Sequence, residues 1–399
     1  MRRHGRRFRA TLTFVGTEKK LALVMSGGGA HAAYQVGVLR AVVRILPRQA
    51  KNPFHVYCGT SAGAINCAAL AAHAGDLRDG VRRLTRIWGH FEVGQVFTAD
   101  WGSLMATAAR WLLALVFGGF GRPLPLALLD RAPLEDLLVA HLSLDHIAAR
   151  IDAGLLHAVS VTASSYTSGQ SVTFFEGAPE LRSWRRSDRL GVPAKLTLAH
   201  LLASSAIPFV FEPVLLGDDY FGDGSMRQTA PLSAALHLGA ERLFVIGVHS
   251  PGSPVTAQKE PPSVAHVAGH VLNSIFLEGL DADLERLERI NQTVRALGRR
   301  GAEAPTGLSE VACFTLHPSQ NLAAIANLYQ NALPRPLRFF LGALAGRGRP
   351  DSILSSYLLF ERSYCRHLMA LGYADAMRNA DAIRAFLGYG QEGVNAATA

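Results

Sequence analysis

Long hydrophobic runs are scarce in this 399-residue sequence. The greasiest stretch, LMATAARWLLALVFGGFG at 104–121, is broken by Arg110. Its uninterrupted part, 111–120, is about half of the ~20 residues that a spanning helix needs. It reads as a core helix, or else as an interfacial segment or a cap over an apolar pocket. Cysteine is scarce as well. Cys58, Cys67, Cys313 and Cys365 form no CxxC pair, which excludes a disulfide framework and fits reduced, buried thiols in a cytoplasmic protein. No clean apolar h-region follows the basic start, since ATLTFVG runs into Glu18, Lys19 and Lys20, so a secretory signal peptide is not expected. No cluster of ligand-type residues has metal spacing, and no metal or other cofactor is expected.

The charge balance is uneven. The formal net charge is +9, with Arg2, Arg3, Arg6, Arg7, Arg9, Lys19 and Lys20 crowded at the start. A solvated tail or contact with an anionic membrane surface accounts for them. Nucleic acid is not favoured, because neither an aromatic-studded basic motif nor a zinc pattern accompanies the charge.

What is present is an alternation of short apolar runs with helical stretches. LALVM (21–25), FHVYC (54–58), HAVSVTAS (157–164) and RLFVIGV (242–248) read as strands. The segments 37–45 and 61–75 read as helices. This order predicts an α/β fold, three layers with a mainly parallel central sheet and helices on both faces. A Pro/Gly/Ser-rich piece at 249–263 ends that pattern. Beyond it come an amphipathic helix through Leu280, Leu284, Leu287, Ile290, Val294 and Leu297, a strand at 311–318 and a largely helical 351–388. The expected organisation is a basic tail at 1–20, a catalytic domain at 21–250 and a mainly helical region at 251–399 packed on it.

Three stretches carry chemistry. Gly27, Gly28 and Gly29 lie between the first strand and a helix, where a backbone must let a phosphate or an oxyanion approach. A dinucleotide fingerprint would need glycine at Ala32, and a Walker loop would need a G-K-[ST] that the chain lacks. Next, Gly59-Thr60-Ser61-Ala62-Gly63 sits between a strand and a helix. Such a turn lifts a serine hydroxyl above the sheet beside a helix N-terminus; the plainer reading of Ser61 is a helix N-cap. Parallel strands would bring both glycine-bearing turns to one carboxyl edge. A serine nucleophile needs a base. None of the 15 histidines sits in a telling pattern, and His31, His200, His237 and His249 read as structural. In YFGDGSMRQTAPL, Asp223 lies between two glycines after a short apolar strand. It is either an Asp-Gly turn residue or that base.

Taken together, a glycine-rich turn, G-x-S-x-G about thirty residues later and D-G-small followed by Pro231-Leu232 resemble the patatin-like phospholipase family, over about 21–250. These are serine lipid acyl hydrolases with a Ser–Asp dyad. The resemblance implies that Ser61 is the nucleophile, that Asp223 is its base, and that Gly27, Gly28 and Gly29 form the oxyanion loop. Gly59 and Gly63 would shape the nucleophile elbow. The expected substrate is a phospholipid or other fatty-acyl ester, cleaved through an acyl-enzyme without a cofactor, in the cytoplasm or peripherally at a membrane. The apolar residues of 104–129 would shape the acyl pocket or dip into the bilayer surface. Three positions depart from the family: His31 replaces Arg or Lys, Ala32 replaces Gly, and Ser225 replaces Gly or Ala. A carboxylesterase, thioesterase or acyltransferase would use the same dyad, and a silent lipid-binding scaffold would keep only its shape.

Overall fold

The computed structural model describes residues 19–98, 102, 127–250, 264–299, 308–345 and 352–389. The apolar stretch 104–121 and the start of the chain up to residue 18 lie outside them.

The first strand, β1 (Leu21–Met25), is buried along its whole length. Leu21, Leu23 and Met25 enter one core, while Ala22 and Val24 enter a second on the opposite face. The same division splits Phe244 and Ile246 from Leu243 and Val245 in β9 (Arg242–Ile246). With side chains alternating at period two, a strand covered on both faces must be apolar throughout. That is why these runs show no polar alternation in the sequence.

The sheet has the order β10-β9-β1-β2-β3-β4-β6-β5. Its continuous parallel run comprises β10 (Ala312–Leu316), β9, β1, β2 (Val56–Thr60) and β3 (Ala158–Ser165). The helices α1 (Ala33–Ile45), α2 (Ala62–Ala72) and α3 (Leu77–Trp88) contribute to the first core. The long helix Val264–Arg299 contributes Leu280 and Leu287 to the second. The architecture is therefore the expected α/β sandwich. Helix Arg362–Arg378 supplies Tyr364, Cys365 and Leu368 to the first core, and its Asp375 accepts a hydrogen bond from Tyr34 at 3.1 Å.

Several elements differ from the sequence expectation. β2 starts at Val56 rather than residue 54, because the Phe54 N–H turns to the side chain of Asn52. It ends at Thr60, directly before Ser61. Four further strands extend the sheet: β4 (Ser171–Gly177), β5 (Trp184–Arg185) and β6 (Arg189–Pro193) beyond β3, and β7 (Val214–Leu216) paired with β8 (Asp219–Asp223). They are short or rich in Ser, Thr and Arg, so no apolar run announces them. Cys58, Cys67, Cys313 and Cys365 are free thiols. Among the described residues no helix is long and apolar enough to cross a membrane.

Candidate active site

The third strand acts as a ruler for the site. β2 runs parallel to β3 and ends with Thr60 opposite Thr162. β8 (Asp219–Asp223) runs antiparallel to β3 and ends with Asp223 opposite Ala163. Because β4 occupies the other edge of β3, β2 and β8 share one side and meet end to end. Ser61 and Asp223, far apart in the chain, are thus placed at adjacent register positions.

Ser61 is reached by a sharp turn. Its φ of 53° and ψ of −131° lie outside the ordinary regions for an L-residue. Strain of about 1–3 kcal/mol persists only where the surroundings over-determine it. Here the constraint is visible: the Ser61 N–H donates to Ser204 Oγ at 2.8 Å, and Ser204 in turn donates to the Thr162 carbonyl at 2.6 Å. A Cβ on Gly63 would stand 2.4 Å from the Met25 carbonyl oxygen, so α2 approaches β1 as closely as a glycine allows. The N-cap reading of Ser61 is not met, for its side chain makes no capping bond.

Asp223 is fully buried. Burial pushes its carboxyl up to about 6, against the pull of the Ser61 hydroxyl and of the Ser225 N–H and hydroxyl toward the charged form. Oδ1 accepts the Ser225 N–H at 2.9 Å, so Asp223 also serves as the turn residue the sequence suggested. Oδ2 is buried and has no partner of full hydrogen-bond geometry. The influence of Ser61 on the carboxylate therefore stops short of a formed bond.

Gly27, Gly28 and Gly29 are buried beside this pair. A Cβ on Gly27 would lie 3.0 Å from Ser61 Cβ and 2.5 Å from Ser225 Oγ. Gly29 has φ 53° and abuts the Tyr357 carbonyl, 2.3 Å from where its Cβ would stand. Among the described residues none of the N–H groups of these three glycines donates a hydrogen bond. Buried backbone donors seldom stay unpaired, and consecutive ones suit an anion.

An apolar pocket opens from Ser61. Its walls include Ile65, Ala69, Leu84, Trp88, Leu138 and Phe211, with His141 and Leu142 also in the lining. The empty space is about 690 Å³ counted to the mouth, open solvent included. Val96 also lines it, two residues before Thr98, which bridges to Asp130 across the undescribed stretch.

The histidines stay away from the pair. Among the described residues none hydrogen-bonds to Ser61 or Asp223. His31 is buried, and burial alone lowers its ring to about 3, so a neutral imidazole stands where the resemblance implied a cation. Its Nε2 lies 3.0 Å from Ser356 Oγ, and its ring 4.7 Å from that of Tyr357. His200 caps the helix Leu198–Ser204, and His237 bonds the Ser233 carbonyl. The His249 carbonyl pairs with the His317 ring. Sequence reasoning missed Ser204, whose only signal is a serine in an otherwise apolar helical turn.

Comparison with known proteins adds the following. The sequence model described as Patatin-like phospholipase matches residues 23–236. No curated protein matches by sequence. Among solved structures, VipD from Legionella pneumophila is 12% identical, with a TM-score of 0.38, over 92% of this chain and 67% of that one. The human GIVD cytosolic phospholipase A2, in complex with methyl gamma-linolenyl fluorophosphonate and terbium chloride, is 13% identical, with a TM-score of 0.36, over 93% of this chain and 60% of that one. The type III effector protein ExoU is 13% identical, with a TM-score of 0.27, over 94% of this chain and 81% of that one.

Proposed function

Because the chain belongs to the patatin-like phospholipase family, we propose that it is a lipid acyl hydrolase working through Ser61 and Asp223. The observation that carries this reading is the end-to-end meeting of β2 and β8 on β3, which brings a strained Ser61 to a buried carboxylate with one unpartnered oxygen.

In the proposed reaction a fatty-acyl ester lies with its chain in the apolar pocket and its carbonyl over Ser61. Asp223 takes the hydroxyl proton as Ser61 Oγ attacks. The oxyanion is held by N–H groups from Gly27, Gly28 and Gly29, where losing one donor costs about 3 kcal/mol of transition-state stabilisation. The alcohol leaves with the proton from Asp223. Water, deprotonated by the same carboxylate, then releases the fatty acid. A carboxyl pushed up to about 6 is a better base near neutral pH than an ordinary aspartate and is still mostly ionised there. The pocket favours an acyl chain from a phospholipid or a similar ester presented at a lipid surface.

The test is fluorophosphonate labelling of wild type, Ser61→Ala and Asp223→Asn, with fatty-acid release from mixed phospholipid vesicles in parallel. The expected result is labelling and release that need both residues. A folded wild type that neither labels nor releases fatty acid would remove the hydrolase reading in favour of a silent scaffold.

A further inference from the structure

Three buried polar side chains lie outside the reacting pair and connect the acyl pocket to the glycine loop. Trp88 lines the pocket, and its Nε1–H donates to Asn66 Oδ1 at 2.9 Å. Asn66 Nδ2 donates to Gln35 Oε1 at 3.1 Å. Gln35 Nε2 donates to the Ser26 carbonyl oxygen at 2.7 Å. Asn66 and Gln35 are fully buried, in α2 and α1.

The direction of every bond in this chain is fixed by its first member. An indole N–H can only donate. It therefore fixes the Asn66 oxygen toward α3 and the Asn66 amide nitrogen toward Gln35. That in turn leaves the Gln35 nitrogen for Ser26. The usual ambiguity of amide orientation is removed at both residues.

The last bond acts on a peptide plane. The Ser26 carbonyl and the Gly27 N–H belong to one rigid trans unit and point in opposite directions. Holding the carbonyl toward α1 holds the N–H away from it. Gly27 is also the loop glycine on which a Cβ would stand 3.0 Å from Ser61 Cβ. We propose that Gln35 is a positioning residue for the oxyanion loop, oriented through Asn66 by Trp88, and that it keeps the Gly27 N–H available over Ser61. The proposal rests on the oxyanion role assigned above. It adds that this role depends on a side-chain relay in the helical layer, because glycine-rich backbone alone would let the peptide turn over.

Two variants test it. Gln35→Met keeps the length and apolar fit of the side chain but has no donor. Trp88→Phe keeps a ring against Phe91 and Phe360 and lacks the N–H that orients Asn66. Gln35→Met is expected to slow both fluorophosphonate labelling of Ser61 and kcat by about 100-fold, the scale of a lost oxyanion donor. KM for a long-chain ester is expected to stay within about twofold, and affinity for a long-chain trifluoromethyl ketone, which needs the donors, to fall in step with kcat. Trp88→Phe is expected to be slowed by about tenfold or more, and the double variant to be no slower than Gln35→Met, because both changes release the same constraint. Folded single variants that label at the wild-type rate, or a double variant whose losses multiply, overturn the positioning role. A wild type that is not labelled at Ser61 overturns the hydrolase reading and this one with it.

Discussion

Replacing Asp223 by Asn should make the protein more stable while removing its activity. Burial raises the carboxyl from 3.8 to about 6, so the folded chain binds this proton more tightly than the unfolded chain does. The stability of the wild type therefore falls as pH rises through that window and levels off above it. The full penalty is about 3 kcal/mol, at 1.36 kcal/mol per tenfold change in proton affinity. Asparagine has no charge to bury and keeps an oxygen for the Ser225 N–H. The gap between Asp223→Asn and wild type should then be about 3 kcal/mol at pH 8 and about half that at pH 5. In Tm it amounts to about 4 °C near the upper pH, taking ~2.1 cal/mol/K per residue over the 399-residue chain. Urea denaturation at the two pH values measures it directly. A variant less stable than wild type at pH 8, or a gap that does not narrow toward pH 5, would refute the account of Asp223 as a desolvated charge. The gain in stability on losing the base would be the usual trade between a strained site and its scaffold.

Three other substitutions probe the same geometry. Gly63→Ala would place a methyl 2.4 Å from the Met25 carbonyl oxygen and 2.6 Å from that of Ser26. Neither backbone can yield, so loss of soluble protein is expected, read from expression and circular dichroism. Ser204→Ala leaves the Ser61 N–H and the Thr162 carbonyl without their shared partner. A destabilisation of about 1–3 kcal/mol is expected in urea, with slower labelling of Ser61. Ala69→Phe puts a ring into the apolar pocket that Ala69 lines. Hydrolysis of long-chain nitrophenyl esters should drop about tenfold or more while the butyrate ester is spared, which a chain-length series would show.

The parts legible in the sequence are those whose physics is local. Strands buried on both faces write themselves as apolar runs, and the turns at Gly27 and Ser61 record close backbone approach as glycine. Asp223 was readable as a turn residue from its neighbours alone. Its meeting with Ser61 depends on β8 lying end to end with β2 along β3, a register that no local pattern encodes. Likewise β4 to β7 are held by pairing to their neighbours more than by their own hydrophobicity. Gln35, Asn66 and Ser204 belong to no motif, and the bonds that give them meaning cross between elements distant in the chain. Gln35 and Asn66 lie among small or apolar neighbours, and a lone amide there signals a buried bond that must be satisfied.

The strands that converge on β3 are also synthesised at different times. Residue 223 leaves the ribosome 162 residues after residue 61, about 10–30 s later at ordinary rates of ~5–20 residues per second. Tyr357, whose carbonyl closes on Gly29, follows 134 residues later still. Throughout that interval the nascent chain carries Ser61 without Asp223, and then both without the finished loop. Under the proposed mechanism, a lipid-cleaving chain is harmless to the membranes around it until Tyr357 has been made. Latency is then a property of the order in which its parts are joined.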